Sequence, residues 1–452
     1  MALVLNLIEG ATTTGLNDAT AKGTKLIHYT PKAALISVPT VTEQCTVLID
    51  VATVALLDSE REEIVLRLYN AHARQTDHAR DKTYVSYQPD GVAGAWRSEI
   101  LDGRIISEND IHKEGWAIKK IEVTIEWVRR NYWEGAEAQV PLTNTNGTDN
   151  TAGLNVYNSN DGVGASPNDR VNYVDVKAAD VAGELPAATR LELTRDYTSA
   201  DDFTIFYIGH NVHDPANHAW TYEGEDASGG TPTVDANSSG GDYNLVSVAT
   251  GPSFQDLLTW TVAAADVDDA LGGMMKFIIR FSDGTMADPN KIWWKIHLEV
   301  ASYTVFETGR LKFNSLAGGK HRVVGTFNFP PWLRGETGNE AVDIILEGQQ
   351  ETGGAVTSKV DVLYMIPADG YREIHSNDDL LDTERFVDDG IEGFLYIDDG
   401  AGTGKRSACV GYGNPIMLEP GKLQRLYFMC EPAEVDRLHS VKLYYRPRRL
   451  TI

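Results

Sequence analysis

Residues 116–147 read WAIKKIEVTIEWVRRNYWEGAEAQVPLTNTNG, and the first half of that stretch alternates apolar and polar positions through Ile118, Ile121, Val123, Ile125 and Trp127. A period of two marks a strand with one face in a core. The alternation then stops. Arg129, Arg130, Tyr132 and Trp133 form a compact basic-aromatic edge, and beyond Val140 the chain turns to Asn, Thr, Gly and Asp, which neither pack nor sustain a ladder. The stretch reads as the last strand of a first domain, with mixed α and β before it and almost only β after it.

Upstream, Leu3–Ile8 and Leu26–Val38 carry strand patterns, and Thr46–Leu57 is a further apolar stretch. Asp58 and Ser59 can cap a helix whose first turn holds Glu60, Glu62 and Glu63, where carboxylates meet the positive end of the dipole. Ile64, Leu68, Ala71 and Gln75 follow at helical spacing. Thr83–Gln88 is a strand, and Trp96–Ile106 a strand broken at Asp102-Gly103. Residues 1–141 are thus expected to be a small α+β domain, one helix on a sheet. Residues 142–170, with NTNGTDN and NSNDGVGASPND, have the composition of a linker. The Asp and Asn spacing there lacks the terminal bidentate Glu of an EF-hand, which favours a solvated connector over a calcium loop.

From Val171 onward short strands succeed one another: Asn172–Val181, Thr189–Thr194, Phe203–Gly209, Tyr243–Ala249, Leu258–Ala263, Met274–Phe281, Ile292–Tyr303, Arg310–Phe313, Val323–Phe327, Ala341–Leu346 and Lys359–Ile366. Tyr222–Asp242 is too polar for a core and reads as an exposed tip. The predicted fold class is mainly β: the α+β domain, then an elaborated jelly-roll β-sandwich over 171–376, with a β segment over 377–452 that completes or flanks it.

At 452 residues the chain exceeds one compact core. Its net charge of −25 is uneven: between Leu142 and Ala270 the only basic residues are Arg170, Lys177, Arg190 and Arg195. Such a surface repels phosphate backbones, so nucleic acid is not an expected partner. No stretch has the roughly 20 apolar residues of a membrane span. The N-terminus lacks a basic region ahead of its apolar run and reads as a first strand, not a signal peptide. Cys45, Cys409 and Cys430 are too scattered for a disulfide framework or zinc site; a Cys409–Cys430 bridge and two buried thiols both remain open.

Three segments resemble the distal tail proteins of long-tailed bacteriophages, the ring-forming baseplate adaptors at the tail tip: the helix followed by DGRIISEND and the strand ending RRNYWEG; VAGELPAATRLELT; and PIMLEPGKLQRLYFM with VKLYYRPRRL. The resemblance implies a non-enzymatic virion structural protein without a cofactor, assembled in the host cytoplasm into the phage tail. Its N-terminal domain would close a homo-oligomeric ring, a hexamer by expectation, contacting tail tube and tail-tip hub proteins. Its sandwich would be related to galectins or carbohydrate-binding modules and turned toward host-surface glycans. The segment Thr194–Ile374 is longer than a minimal sandwich needs, which points to an elaborated jelly roll or a second module inserted into the first. KVDVLYMIPADGYREI resembles the closing strand of virion carbohydrate-binding jelly rolls. A free-standing lectin, a glycan-degrading enzyme and a capsid decoration protein are the rival classes.

Candidate chemistry is sparse. His210, His213 and His218, with Asp214 in GHNVHDPANHAW, offer an H-x-x-H pair, yet on a Pro-containing loop without the helix or general base of a metalloprotease, so a polar loop is the plainer reading. Trp220, Tyr222 and Trp332 are candidates for stacking on sugar rings, while one of the adjacent Trp293 and Trp294 must point into a core. No carboxylate pair stands out for glycoside hydrolysis, and G-x-S-x-G is absent. GAGTGKRS at 400–407 has Arg406 where a phosphate loop needs Ser or Thr and reads as a hairpin turn. Arg129, Arg130, Tyr132 and Trp133, with Arg446, Arg448 and Arg449, have the composition of interface anchors and are the expected oligomer contacts.

Overall fold

A computed structural model describes residues 3–452 except 19, 21, 33–37, 92, 111–119, 145–149, 159–170, 196–203, 213–220, 265, 268–272, 283–291, 314–318, 329–333, 336–337, 377–379, 381–383, 400–403, 407–408 and 432–437. The chain divides into two compact units. One comprises Met1–Ala138, Ala182–Ala187 and Arg446–Ile452, the other Gln139–Val181 and Ala188–Tyr445.

In the first unit, β1 (Val4–Glu9), β2 (Thr12–Gly15), β3 (Thr24–Tyr29), β4 (Thr40–Asp50), β5 (Thr83–Gln88), β6 (Trp96–Asp110) and β7 (Lys120–Arg130) make an antiparallel sheet in the order β2-β1-β5-β6-β7-β4-β3. Along β7 burial alternates at every residue, with Ile121, Val123, Ile125, Trp127 and Arg129 inside; Ile118 lies outside the described residues. The short β8 (Trp133–Glu134) pairs with Arg448–Arg449 from the end of the chain.

Helix α1 (Val54–Arg74) buries Leu57, Glu60, Ile64, Leu68 and Ala71, a stripe at spacings of three and four. Its cap is Thr53, whose Oγ1 accepts from the Leu56 N–H at 3.2 Å, and not Asp58 or Ser59. The apolar run Thr46–Leu57 is therefore split between β4 and the helix. Glu60 falls on the buried face, 3.7 Å from Lys22, instead of in the first turn. Asp102-Gly103 does not break β6: the strand continues through register shifts at Ile100/Asp102 and Ile105/Ser107. Gly103 lies under the helix, where a Cβ would sit 2.6 Å from Leu68 Cδ2.

Among the described residues, the second unit is built mainly of β-sheets packed as sandwiches. One sheet runs Leu154–Tyr157, Leu438–Tyr445, Ala187–Arg195, Arg385–Asp389, Phe394–Asp398, Lys405–Arg406; another runs Tyr173–Val176, Gln424–Glu431, Ile205–Asn211, Tyr371–Ser376, Cys409–Gly413. Within the expected linker, Leu154–Tyr157 is thus a strand, paired with Leu438–Val441, because Leu154 and Val156 alternate into the core.

Between Asn211 and Tyr371 the chain builds a second sandwich. Its eight principal strands, in chain order, are Asp242–Val248, Gln255–Val262, Met274–Phe281, Ile292–Val300, Tyr303–Glu307, Lys320–Asn328, Val342–Gln350 and Val356–Pro367. The first, eighth, third and sixth form one sheet and the second, seventh, fourth and fifth the other. That is the connectivity of a jelly roll. Its core includes Phe281 against Trp294 (5.1 Å between centroids) and Phe277 against Phe327 (4.6 Å).

Three sequence expectations change here. Tyr222–Asp242 is not a bare tip: it contains part of Thr221–Glu223 and all of Thr231–Val234, and Asn244 Nδ2 ties it down by donating to the carbonyls of Gly224 and Gly229 at 3.1 and 2.9 Å. Ile292–Tyr303 is two strands joined at Ala301-Ser302. Arg310–Phe313 contributes one bridge, Leu311 to Trp294, in place of a strand. The packing at Gly103 sets a test: Gly103→Ala should lower stability by about 1–3 kcal/mol, read as a shifted urea midpoint, because the helix must lift from β6.

Candidate functional site

The basic-aromatic edge of β7 and β8 turns inward. Arg129 and Trp133 are fully buried, which removes them as exposed interface anchors. The reason is Glu43 on β4, itself fully buried. Its Oε1 accepts from Arg129 Nη2 at 2.6 Å and from the Lys32 N–H at 2.7 Å; its Oε2 accepts from the Tyr29 hydroxyl at 2.8 Å and Trp127 Nε1 at 3.3 Å. Arg129 also donates to the carbonyls of Arg130 and Lys32, and its guanidinium stacks 4.4 Å above Trp133. Burial, with the Glu43 charge beside it, drives the Tyr29 hydroxyl far above its ordinary pKa, so it stays a donor.

The other cationic candidates are paired within the same unit. Arg130 Nε reaches Glu99 at 3.2 Å, Arg448 Nη2 reaches Glu134 at 2.9 Å, and Arg446 stands 3.8 Å from Glu137. Tyr132 lies under Arg448, and the exposed Arg449 stacks on Trp96 at 4.8 Å. The expected docking charges serve largely to close the first unit on the end of its own chain.

His210 is held inside the second unit. It is buried on the strand Ile205–Asn211, where Nε2 donates to Gln424 Oε1 at 3.0 Å. Burial pushes its pKa down to about 4. His213, His218, Trp220 and Trp332 lie outside the described residues. Tyr222 is not an exposed platform: it packs on the jelly-roll core, and burial raises its hydroxyl pKa. Trp294 is the inward member of its pair, while Trp293 is half-exposed under Lys312, 4.3 Å away. Cys45 and Cys430 are buried thiols and Cys409 is half-buried.

Two features escape sequence reasoning because their members are far apart in the chain. A cavity of about 430 Å³ is lined by Arg372, Asp388, Asp389, Phe394, Leu395 and Pro415 among others. At its wall Arg372 grips Asp388 with two hydrogen bonds, 2.8 and 2.9 Å, while Phe394 is 52% exposed. Burial outweighs that guanidinium and holds the Asp388 carboxyl above the usual range. The second feature is the outward face of the jelly-roll sheet formed by the second, seventh, fourth and fifth strands, where Asp256, His297 and Glu347 converge. No local motif marks either; the alternation of outward positions on Ile292–Val300 is the one signal that points to His297.

No protein-family model and no curated protein matches the chain. Among solved structures it is similar to a phage P2 baseplate in its activated conformation with Ca, at 8% identity and a TM-score of 0.31 over 100% of both chains. It is similar also to the phage p2 baseplate in its activated conformation with Sr (8%, TM-score 0.26, 46% of this chain and 72% of that one). A third is the infectious bursal disease virus VP2 subviral particle (8%, TM-score 0.20, 60% and 66%). These scores lie below what a shared fold requires.

Arg129→Met should cost about 3–5 kcal/mol of unfolding free energy, since Glu43 is left buried without its cation. The double variant Glu43→Gln, Arg129→Met should recover part of that loss in a denaturant titration. For His210 the sign follows from its lowered pKa. The unfolded chain takes up a proton near pH 6.5 and the folded one near 4, so the folded state loses stability as pH falls between them, by at most about 1.4 kcal/mol per pH unit. His210→Gln should therefore cost more at pH 7 than at pH 4.5 in urea midpoints taken at both.

Proposed function

We propose that this chain is a non-enzymatic structural protein of a virion, of the distal-tail type, in which the first unit closes a homo-oligomeric ring and the jelly-roll unit is displayed. In this reading, tail tube and tail-tip hub proteins are the ring's neighbours. One observation carries the assembly part. Helix α1, packed on the sheet by one face, leaves Leu56, Val65, Leu66 and Tyr69 open to solvent, at 48, 44, 49 and 59% exposure. Val65 and Leu66 stand four and three residues before Tyr69 and so neighbour it on the helix surface, making an apolar patch of the kind that marks protein–protein contact.

A second reading, a carbohydrate-binding host-recognition role, draws on the cavity beside Phe394. An exposed ring next to fixed carboxylates and a guanidinium matches what a sugar needs, an apolar face to stack on and polar groups to fix its hydroxyls. Glycan-array binding that is lost in Phe394→Ala would favour it.

Light scattering at several concentrations tests assembly. A discrete closed oligomer is expected, reduced to monomer by Leu66→Glu with Tyr69→Glu. Raising the salt should leave the oligomer intact or tighten it, since the Arg residues are paired inside each copy and the net charge repels other copies. A monomer at every concentration would remove self-assembly from the proposal.

A further inference from the structure

On the outward face of the jelly-roll sheet, three strands each offer one side chain to a single point: Asp256 from Gln255–Val262, His297 from Ile292–Val300 and Glu347 from Val342–Gln350. One ligand atom from each lies within 4.8 Å of the other two. His297 and Glu347 are only 6 and 8% exposed, whereas Asp256 is open to solvent. A solute therefore has a way in, and two of the donors are fixed by burial.

The imidazole is oriented as a metal-bound histidine is. Nε2 lies 3.2 Å from Glu299 Oε1, which accepts its proton and leaves the Nδ1 lone pair facing the other two residues. Nδ1 has no hydrogen-bond partner, although Glu347 Oε2 is 3.0 Å away. A bare lone pair and a carboxylate oxygen at that distance repel unless a proton or a metal ion lies between them. The spacing is near the edge of a coordination tetrahedron, about 3.4 Å for bonds of about 2.1 Å. Without a metal, the nearby cation is Lys295, whose Nζ stands 3.1 Å from the same Oε2 and 2.6 Å from Glu307 on the neighbouring strand.

We propose that Asp256, His297 and Glu347 bind a first-row divalent metal, Zn²⁺ in particular, through Nδ1 and two carboxylates, with water completing the tetrahedron. Imidazole with carboxylates suits zinc better than the hard ions calcium and magnesium, which take all-oxygen sites. Lys295 gives up Glu347 to the metal and keeps Glu307. The site clamps three strands of one sheet together and is independent of the assembly proposal.

The test is calorimetric titration of ZnCl2 into EDTA-treated, dialysed full-length protein. The expected result is one ion per chain, a higher unfolding temperature with zinc, and the visible bands of tetrahedral cobalt when Co²⁺ replaces it. His297→Ala should weaken binding at least tenfold, and Lys295→Ala should tighten it by removing a competing cation. Asp256→Asn, at an exposed position, keeps the test decisive if His297→Ala does not fold: it too should weaken binding. No zinc bound to the wild-type chain, or the same affinity and stoichiometry in the folded variants, would overturn the proposal.

Discussion

The second unit depends on how its inserted jelly roll is held at both ends. Ile205–Asn211 leads toward the insert and Tyr371–Ser376 leads away from it, and the two are adjacent antiparallel strands, with Gly209 opposite Tyr371 and Ile205 opposite His375. Some 160 residues thus begin and end side by side in another sheet. Closing so long a loop costs little more than closing a short one, because the entropy grows only with the logarithm of its length. The junction itself is tight. A Cβ on Gly209 would meet Ile366, and one on Gly370 would press into the His210 carbonyl, so glycine at both positions lets the closing strand of the jelly roll pass directly into the outer sheet. That closing strand, Val356–Pro367, pairs with three others and is buried over most of its length, which makes it the member on which both the insert and its attachment rest.

Most of this fold was legible in period-two alternation. Met274–Phe281 and Thr83–Gln88 come out with the bounds their patterns predict, and the class, mainly β, follows from the same signal. The failures have physical causes. The hairpin at Ala301-Ser302 places two ordinary residues at φ 49° and 68°, a conformation usually announced by Asn-Gly, so nothing in the sequence marks the turn. The sequence points to the wrong helix cap because Asp58 and Ser59 are as able as Thr53 to cap, and what decides is where the apolar stripe must begin in order to meet Gly103 and β6.

The candidate sites were less legible because their meaning depends on partners remote in the chain. Arg129 reads as a surface charge until Glu43, 86 residues away, is seen to lie beside it in the core. The reverse holds for His297, which sits within an apolar run and reads as a strand position until Glu347 and Asp256 close on it. An ionisable residue in an alternating strand is thus ambiguous between a surface charge and a buried partner, and only the neighbouring strands decide.

The same pairing bears on how copies of the chain can meet. The formal charge slightly overstates what a neighbour feels: burial beside Glu225 pushes Glu223 up to about 8, so that it is protonated at neutral pH, while internal pairs such as Asp361 with the buried Arg280 cancel and leave the net as it is. The cations are spent in the same way. Arg129, Arg130, Arg446 and Arg448 each face a carboxylate of their own unit. What remains outside is still acidic, and like-charged copies repel within a Debye length. Attraction between copies must then come from apolar area, which each buried square ångström supplies at about 25 cal/mol. The first unit exposes that area on helix α1, outside the buried stripe that holds the helix in place.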